Sequence, residues 1–219
     1  MPKPSLREDI LDAGLKVMFR RGYMGSGIRD IVAEASAPQG SFTNHFRSKE
    51  EFAREVLDRY FEHVKSLVTQ ALEDPKLSAR QRLRKYLDLI TKRLANDGFA
   101  RGCLIGDFSL EAAQHSEMLR ERLAAIFAEW RTPFAKCIAE AQASHEIESE
   151  FGAQDLAEFL LASWQGAILR MKVERSAKPL ERFKTIAFQT VFKEPDREPK
   201  RSTASTRIRT SRRISRSRR

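Results

Sequence analysis

Gly22-Tyr-Met-Gly-Ser-Gly-Ile-Arg-Asp-Ile-Val-Ala-Glu-Ala-Ser-Ala-Pro-Gln-Gly-Ser-Phe-Thr-Asn-His-Phe-Arg-Ser-Lys-Glu-Glu-Phe52 is the stretch whose reading decides the fold. Ile28, Ile31, Val32 and Ala35 share one face at helical spacing, which predicts a first short helix. Ala35, Ser36, Ala37 and Pro38 make a corner of small residues, and a second short helix is expected from about Pro38. Phe42 and Phe46, four apart, anchor that second helix to a core. Gln39, Ser41, Thr43, Asn44 and His45 are then left on its outward side. These side chains are small or hydrogen-bonding and suit contacts to base edges and phosphates in a major groove. The stretch is a helix-turn-helix candidate; a mere helical corner would explain the phenylalanines but not the polar cluster beside Lys49.

Outward from this stretch the chain reads as helix after helix, with no sustained period-two alternation. Ser5-x-x-Glu8 is a capping box opening a helix that stops at Arg20, Arg21 and Gly22. Ser48-x-x-Glu51 opens a long one that ends at Asp74 and Pro75. Ser78 caps the next, which ends near Gly98, and a shorter helix follows Gly102 to about Ala113. Ser116 starts another long helix, which Pro133 is expected to kink. Helices over 153–173 and 179–192 complete an all-α fold of about nine helices. Residues 1–50 are expected to form the helix-turn-helix domain, 51–193 a helical sensing and dimerisation domain, and 194–219 a basic disordered tail.

With these elements in place, the chain resembles the TetR/AcrR family of bacterial transcription regulators. The resemblance rests on Gly22-Tyr23 followed by Ser26, on Ile28-Arg29-Asp30-Ile31, on Gly40-Ser41-Phe42-x-x-His45-Phe46 and on Ser48-Lys49-Glu50-Glu51. It implies that Ser26 and Lys49 contact phosphates, that Gln39 and Ser41 face bases, and that Asn44 and His45 touch backbone or base edges. Thr43 departs from the tyrosine usual at its position, Ala35-Ser36-Ala37 from the common Ala-Gly-Val turn, and Gly27 from a second Ser or Thr. The resemblance further implies a homodimer on a pseudo-palindromic duplex, released by a small-molecule or electrophile effector, and more often a repressor than an activator. The last two long helices would form the dimer face, with Trp164, Gly166, Ala167, Phe183 and Phe188 either there or in the core.

Arg101-Gly-Cys-Leu-Ile-Gly-Asp-Phe-Ser-Leu-Glu111 and the Trp164-x-Gly166-Ala167…Lys172 pattern resemble a branch of that family that senses electrophiles or oxidants through cysteine. Cys103 stands at a helix start, which favours a thiolate, and Lys172 could approach it. Cys103 could equally be a small buried hydrophobe, as Cys137 is expected to be. A non-covalent ligand cavity lined by Phe61, Phe108, Trp130 and Met171 is the alternative, with core packing open for each.

Composition bounds the remaining possibilities. The 219 residues are 41% hydrophobic and 32% charged, and no run approaches the ~20 apolar residues that cross a bilayer. Arg7, Glu8, Asp9, Asp12 and Lys16 interrupt any leader, and two cysteines fit a reducing cytoplasm, so a cytoplasmic, nucleoid-associated location is expected. Of the net charge of +10, nine basic residues lie between Lys200 and Arg219, which leaves the body nearly neutral. A DNA-binding claim for the body therefore rests on its motif, whereas a helical protein binding nucleic acid non-specifically through the tail is the competing reading. Nothing asks for a metal or cofactor: the four histidines are scattered, no Cys-x-x-Cys occurs, and no glycine-rich phosphate loop or nucleophile elbow is present. The chain is therefore not expected to be an enzyme.

Overall fold

The computed structural model describes residues 5–195. Among them the fold is all-helical, as expected: α1 (Leu6–Arg21), α2 (Ile28–Glu34), α3 (Ser41–His45), α4 (Lys49–Leu72), α5 (Ala79–Asn96), α6 (Leu104–Glu111), α7 (Glu117–Ala143), α8 (Ala153–Glu174) and α9 (Lys178–Gln189). Apart from its first two residues, the basic segment 194–219 lies outside the described residues.

Four of the long helices, α1, α4, α5 and α7, start where a serine supplies an acceptor for an orphan backbone N–H, whereas α8 starts at Gly152 without a side-chain cap. The full reciprocal box forms only at Ser78: its N–H reaches Gln81 Oε1 at 3.0 Å and its Oγ accepts from Gln81 N at 3.4 Å. At Ser5 and Ser48 only the serine half forms, with Oγ accepting from Glu8 N and Glu51 N. Glu8 turns to Arg59 of α4 instead, and Glu51 accepts from Arg47 N at 3.3 Å. Tertiary ion pairing has displaced the local partner in the first case and a neighbouring N–H in the second.

Helix α4 is the axis of the molecule: it packs on α1, α5, α6 and α7, and its buried stripe includes Phe52, Val56, Phe61 and Val64. The expected domain boundary at 50–51 falls within its first turn, so the N-terminal helices and the body share one continuous core. Gly14 of α1 permits the closest approach: a Cβ there would lie 2.2 Å from the Phe52 ring, which is itself fully buried. Helix α7 runs through Pro133 without a break. Helix α9 ends three residues earlier than its periodicity suggests, because Phe192 folds in as a fully buried side chain. Arg80 fixes that end, donating from Nη2 to Phe188 O at 3.1 Å and from Nε to Phe192 O at 2.7 Å.

Candidate nucleic-acid interface and interior cavity

Helices α2 and α3 are joined by a tight corner whose geometry the sequence specifies closely. Ser36 N–H donates to Ala33 O and Ala37 N–H to Val32 O, the paired bonds that close a helix through a left-handed residue. That residue is Ser36, at φ +52°, so its departure from the family's glycine falls on the one position of the corner where glycine is conformationally cheapest. The second helix is shorter than expected: α3 spans Ser41–His45, with Gly40 as its cap and Pro38 in the preceding turn.

An aromatic tripod holds α3. Phe42, Phe46 and Phe52 are all buried, with ring centroids 5.2, 5.0 and 4.7 Å apart in mutual tilted or edge-on contacts. Such pairs are worth roughly 0.5–1.5 kcal/mol each beyond the area they bury. The inward pair at positions 42 and 46 forces the intervening residues outward. Gln39, Thr43, Asn44 and His45 are exposed, and the side chains of Gln39 and Asn44 make no hydrogen bond among the described residues. Thr43 Oγ1 donates to Gly40 O at 3.0 Å and steadies the helix start.

Three residues of the expected set sit differently. Ser26 is buried, and its hydroxyl donates to Gly22 O at 2.5 Å, so it braces the α1–α2 turn and does not present itself to a phosphate. Ser41 is also buried, because as the first residue of α3 it lies on the side facing the tripod. Lys49 is half-buried, with its ammonium 4.6 Å above the Tyr23 ring; burial pulls its pKa down, opposed by the Glu111 carboxylate. Arg29 and Arg47 are exposed cations flanking this surface that sequence reasoning passed over. Their position within the motif was the available signal.

The body encloses a cavity of about 310 Å³ between α1, α4, α5, α7 and α8 and the segment before α6. Tyr60, Tyr86, Trp130 and Trp164 supply its aromatic walls, and His63, Arg93, Asp97 and Arg101 its polar rim. Of the expected lining residues only Trp130 takes part. Phe61, Phe108 and Met171 are fully buried in the core away from it, since their helix faces point to neighbouring helices. Trp164, Ala167 and Phe188, candidates for a dimer face, are likewise buried within the chain. The apolar side chains that α8 and α9 leave exposed are Phe159, Leu169, Val173 and Ile186, with the exposed Gly166 among them. The sequence did not separate these two sets because α8 is apolar on both faces.

Cys103 caps the N-terminus of α6 and lines the cavity, as its place after Gly102 suggested. Its chemistry runs against the expectation. Burial pushes the thiol pKa up, and the backbone N–H groups of Gly106 and Ile105, Gln165 and the Tyr60 hydroxyl only partly oppose this. The Tyr60 hydroxyl lies 3.8 Å from Sγ. Lys172 does not serve the thiol: its ammonium is bound to Asp107, at 2.9 and 3.0 Å from the two carboxylate oxygens. Cys137 is core, with Sγ donating to Ala79 O at 3.2 Å and its pKa pushed up to about 11 by burial.

The cavity touches the N-terminal helices directly. Leu15 and Phe19 of α1 form part of its wall, and Phe19 meets Tyr60 edge-on at 5.4 Å. Helix α6 makes a second link: Tyr23 and Phe108 rings lie 5.5 Å apart, and Glu111 accepts from Met24 N at 3.0 Å. No cluster of side chains able to hold a metal occurs among the described residues, and no described helix is long and apolar enough to cross a membrane.

Comparison with known proteins places this architecture. Residues 10–56 match the model of bacterial regulatory proteins of the tetR family, and residues 79–187 match the Tetracyclin repressor-like C-terminal domain. The HTH-type transcriptional repressor DhaR of Mycobacterium sp. (strain GP1) is 42% identical over 192 residues, covering 88% of this chain and 95% of that protein. Among solved structures, a regulatory protein TetR from Rhodobacter sphaeroides superposes with a TM-score of 0.79 at 32% identity, covering 83% of this chain and 97% of that one. The reduced form of NemR from E. coli also gives 0.79, at 25% identity over 88% of this chain and 100% of that one.

Proposed function

The chain belongs to the TetR family of bacterial regulatory proteins and is a helix-turn-helix, DNA-binding transcriptional regulator of the repressor type, and from that premise we propose how its parts share the work. Helix α3 reads the major groove through Gln39, Thr43, Asn44 and His45, while Lys49, Arg29 and Arg47 hold flanking phosphates. Ser26 and Ser41 support this surface from within. The observation that carries the assignment is the row of exposed polar side chains, Gln39 and Asn44 without hydrogen-bond partners among the described residues, standing on a buried aromatic tripod.

The exposed apolar row of α8 and α9 joins two copies, which sets two reading helices about 34–36 Å apart on a pseudo-palindrome. The cavity receives an effector. Because Leu15 and Phe19 of α1 form part of its wall, occupancy shifts α1 and α4 together and biases the spacing of the reading helices. The protein works in the cytoplasm as a regulator and performs no catalysis.

A second reading of the signal retains Cys103. Its place in the cavity wall and the similarity to NemR, solved in a reduced form, support attack on an electrophile that has entered the cavity. The competing view, that the basic tail supplies all nucleic-acid binding, leaves the exposed polar row on α3 without a use.

Selection of duplexes from a randomised pool with the full chain tests the central reading. An inverted repeat with half-sites one helical turn apart is the expected product. Recovery of duplexes without common sequence would overturn it.

A further inference from the structure

The cavity is chemically two-ended. Inside stands Trp164, fully buried, whose indole N–H has no acceptor among the described residues although donors of this kind almost always find one when buried. The indole N–H of Trp130 in the same wall is likewise unpaired, but it has the Tyr86 hydroxyl as a neighbour. At the rim stand three nitrogen-bearing side chains and one carboxylate. Asp97 is engaged by Arg101, whose guanidinium also lies 5.7 Å from the centre of the Phe19 ring. Among the described residues Arg93 has no carboxylate partner, and its side-chain hydrogen bond is to His63 Nε2, at 3.2 Å. Burial and the neighbouring Arg93 push the His63 pKa down, so the imidazole stays neutral beside it and accepts from the guanidinium. One arginine therefore faces the cavity mouth without a counter-charge among the described residues, while the walls between the two ends combine the apolar Leu15, Val64, Leu67, Ile90 and Ile168 with the rings of Tyr60 and Tyr86 and with Cys103.

This inference rests on the reading of the cavity as the effector site. We propose that the effector is a compact organic monoanion: a carboxylate held by Arg93, an apolar body in the chamber, and a second, neutral oxygen acceptor meeting the Trp164 indole. A cationic effector would meet Arg93 and Arg101 at the mouth with no free carboxylate to receive it. A polyanion would find a single uncommitted cation. A fully apolar ligand would leave both the guanidinium and the indole N–H as they are, so it would gain nothing from the polar groups that make this cavity distinct. The volume holds at least about ten water-sized groups at ~30 Å³ each, the size of a substituted benzoate and smaller than a nucleotide.

The test is titration calorimetry of the full chain with four matched probes: para-acetylbenzoate, its methyl ester, para-acetylbenzylamine and para-ethylbenzoate. The acid is expected to bind about ten-fold or more tightly than the ester, and the amine not at all. Para-ethylbenzoate, which lacks the inner oxygen, is expected to bind more weakly than para-acetylbenzoate. Arg93→Ala, at an exposed position that leaves the core intact, should bring acid and ester to the same affinity. Trp164→Phe should abolish the preference for the acetyl oxygen while keeping the preference for the acid. Equal binding of acid and ester, tighter binding of the amine, indifference of the acid to Arg93→Ala, or no binding of any carboxylate would each overturn the proposal. Operator binding is measured on the same preparations. If the acid binds as described and the DNA complex persists, the anion site stands and its role as effector site falls. If only the neutral ester dissociates the complex, the effector site stands and the anion proposal falls.

Discussion

Helix α3 and the cavity are built from the same kinds of residue and arrange them in opposite ways. In α3 three buried phenylalanines form a platform, and the polar side chains stand on its outer side in water. In the cavity the aromatic groups are the walls, and the polar groups of Tyr60, Tyr86, Trp164 and Cys103 point among apolar neighbours. Water satisfies the first set until DNA replaces it, so those side chains cost nothing to leave unpaired. The second set is withdrawn from water, so its protonation and pairing depend on neighbours. Cys103 shows the consequence: three kinds of donor surround its sulfur, and burial still keeps the thiol protonated.

The comparison is broken most severely at α3. Replacing Gln39 and Asn44 together by alanine is expected to lower affinity for the selected operator about 100-fold or more, at ~1–3 kcal/mol per lost base contact. Affinity for an unrelated duplex should scarcely move, because these residues carry no charge. Fluorescence anisotropy on both duplexes checks this; equal losses on the two would mean that the exposed row touches only backbone.

The platform can be tested apart from the row it carries. Gly14→Ala places a methyl group against the fully buried Phe52 ring and should cost about 1–3 kcal/mol in urea unfolding through overpacking. Operator affinity should fall with it, since Phe52 is one leg of the tripod, while binding of a cavity ligand should be spared. A variant as stable as the parent would show that α1 and α4 are less tightly apposed than described.

Cys103 sharpens the cavity side. With its pKa raised, the thiolate fraction at neutral pH is smaller than for a free thiol, so alkylation by iodoacetamide should be slow and quicken as pH rises through 9. Cys103→Ser should hold operator DNA at a dose of mild electrophile that releases the parent. Release of both at one dose would remove this sulfur from signalling. The smallest effect is expected at the corner: Ser36→Gly relieves a left-handed serine and should stabilise the fold by about 0.5–1 kcal/mol, with no change in sequence preference.

Legibility in the sequence divides along the same line. Phe42 and Phe46, spaced by four with polar residues between them, announce both the anchoring and the exposure of α3, because a short amphipathic helix has only one way to place such a pattern. Ser26 is the exception in that region, since a small hydroxyl can serve a backbone carbonyl as readily as a phosphate, and its neighbours in space made the choice. In the body, Leu156, Leu160, Trp164 and Ile168 and the exposed Phe159, Leu169 and Val173 occupy one helix that is apolar nearly all round. Periodicity cannot say which side of such a helix faces its own chain.

The order of residues alone determined the nine helices of the described residues, the serine caps of four of them, the two-helix corner and the exposed polar side of its second helix, because each depends on neighbours within a turn or two. Only the tertiary structure decided that Lys172 belongs to Asp107 and not to Cys103, that Trp164 lines a cavity and not a dimer face, and that Phe61, Phe108 and Met171 are core. Those outcomes depend on which elements distant in sequence meet, and the burial that follows sets the charge state and the hydrogen-bond partners of each group.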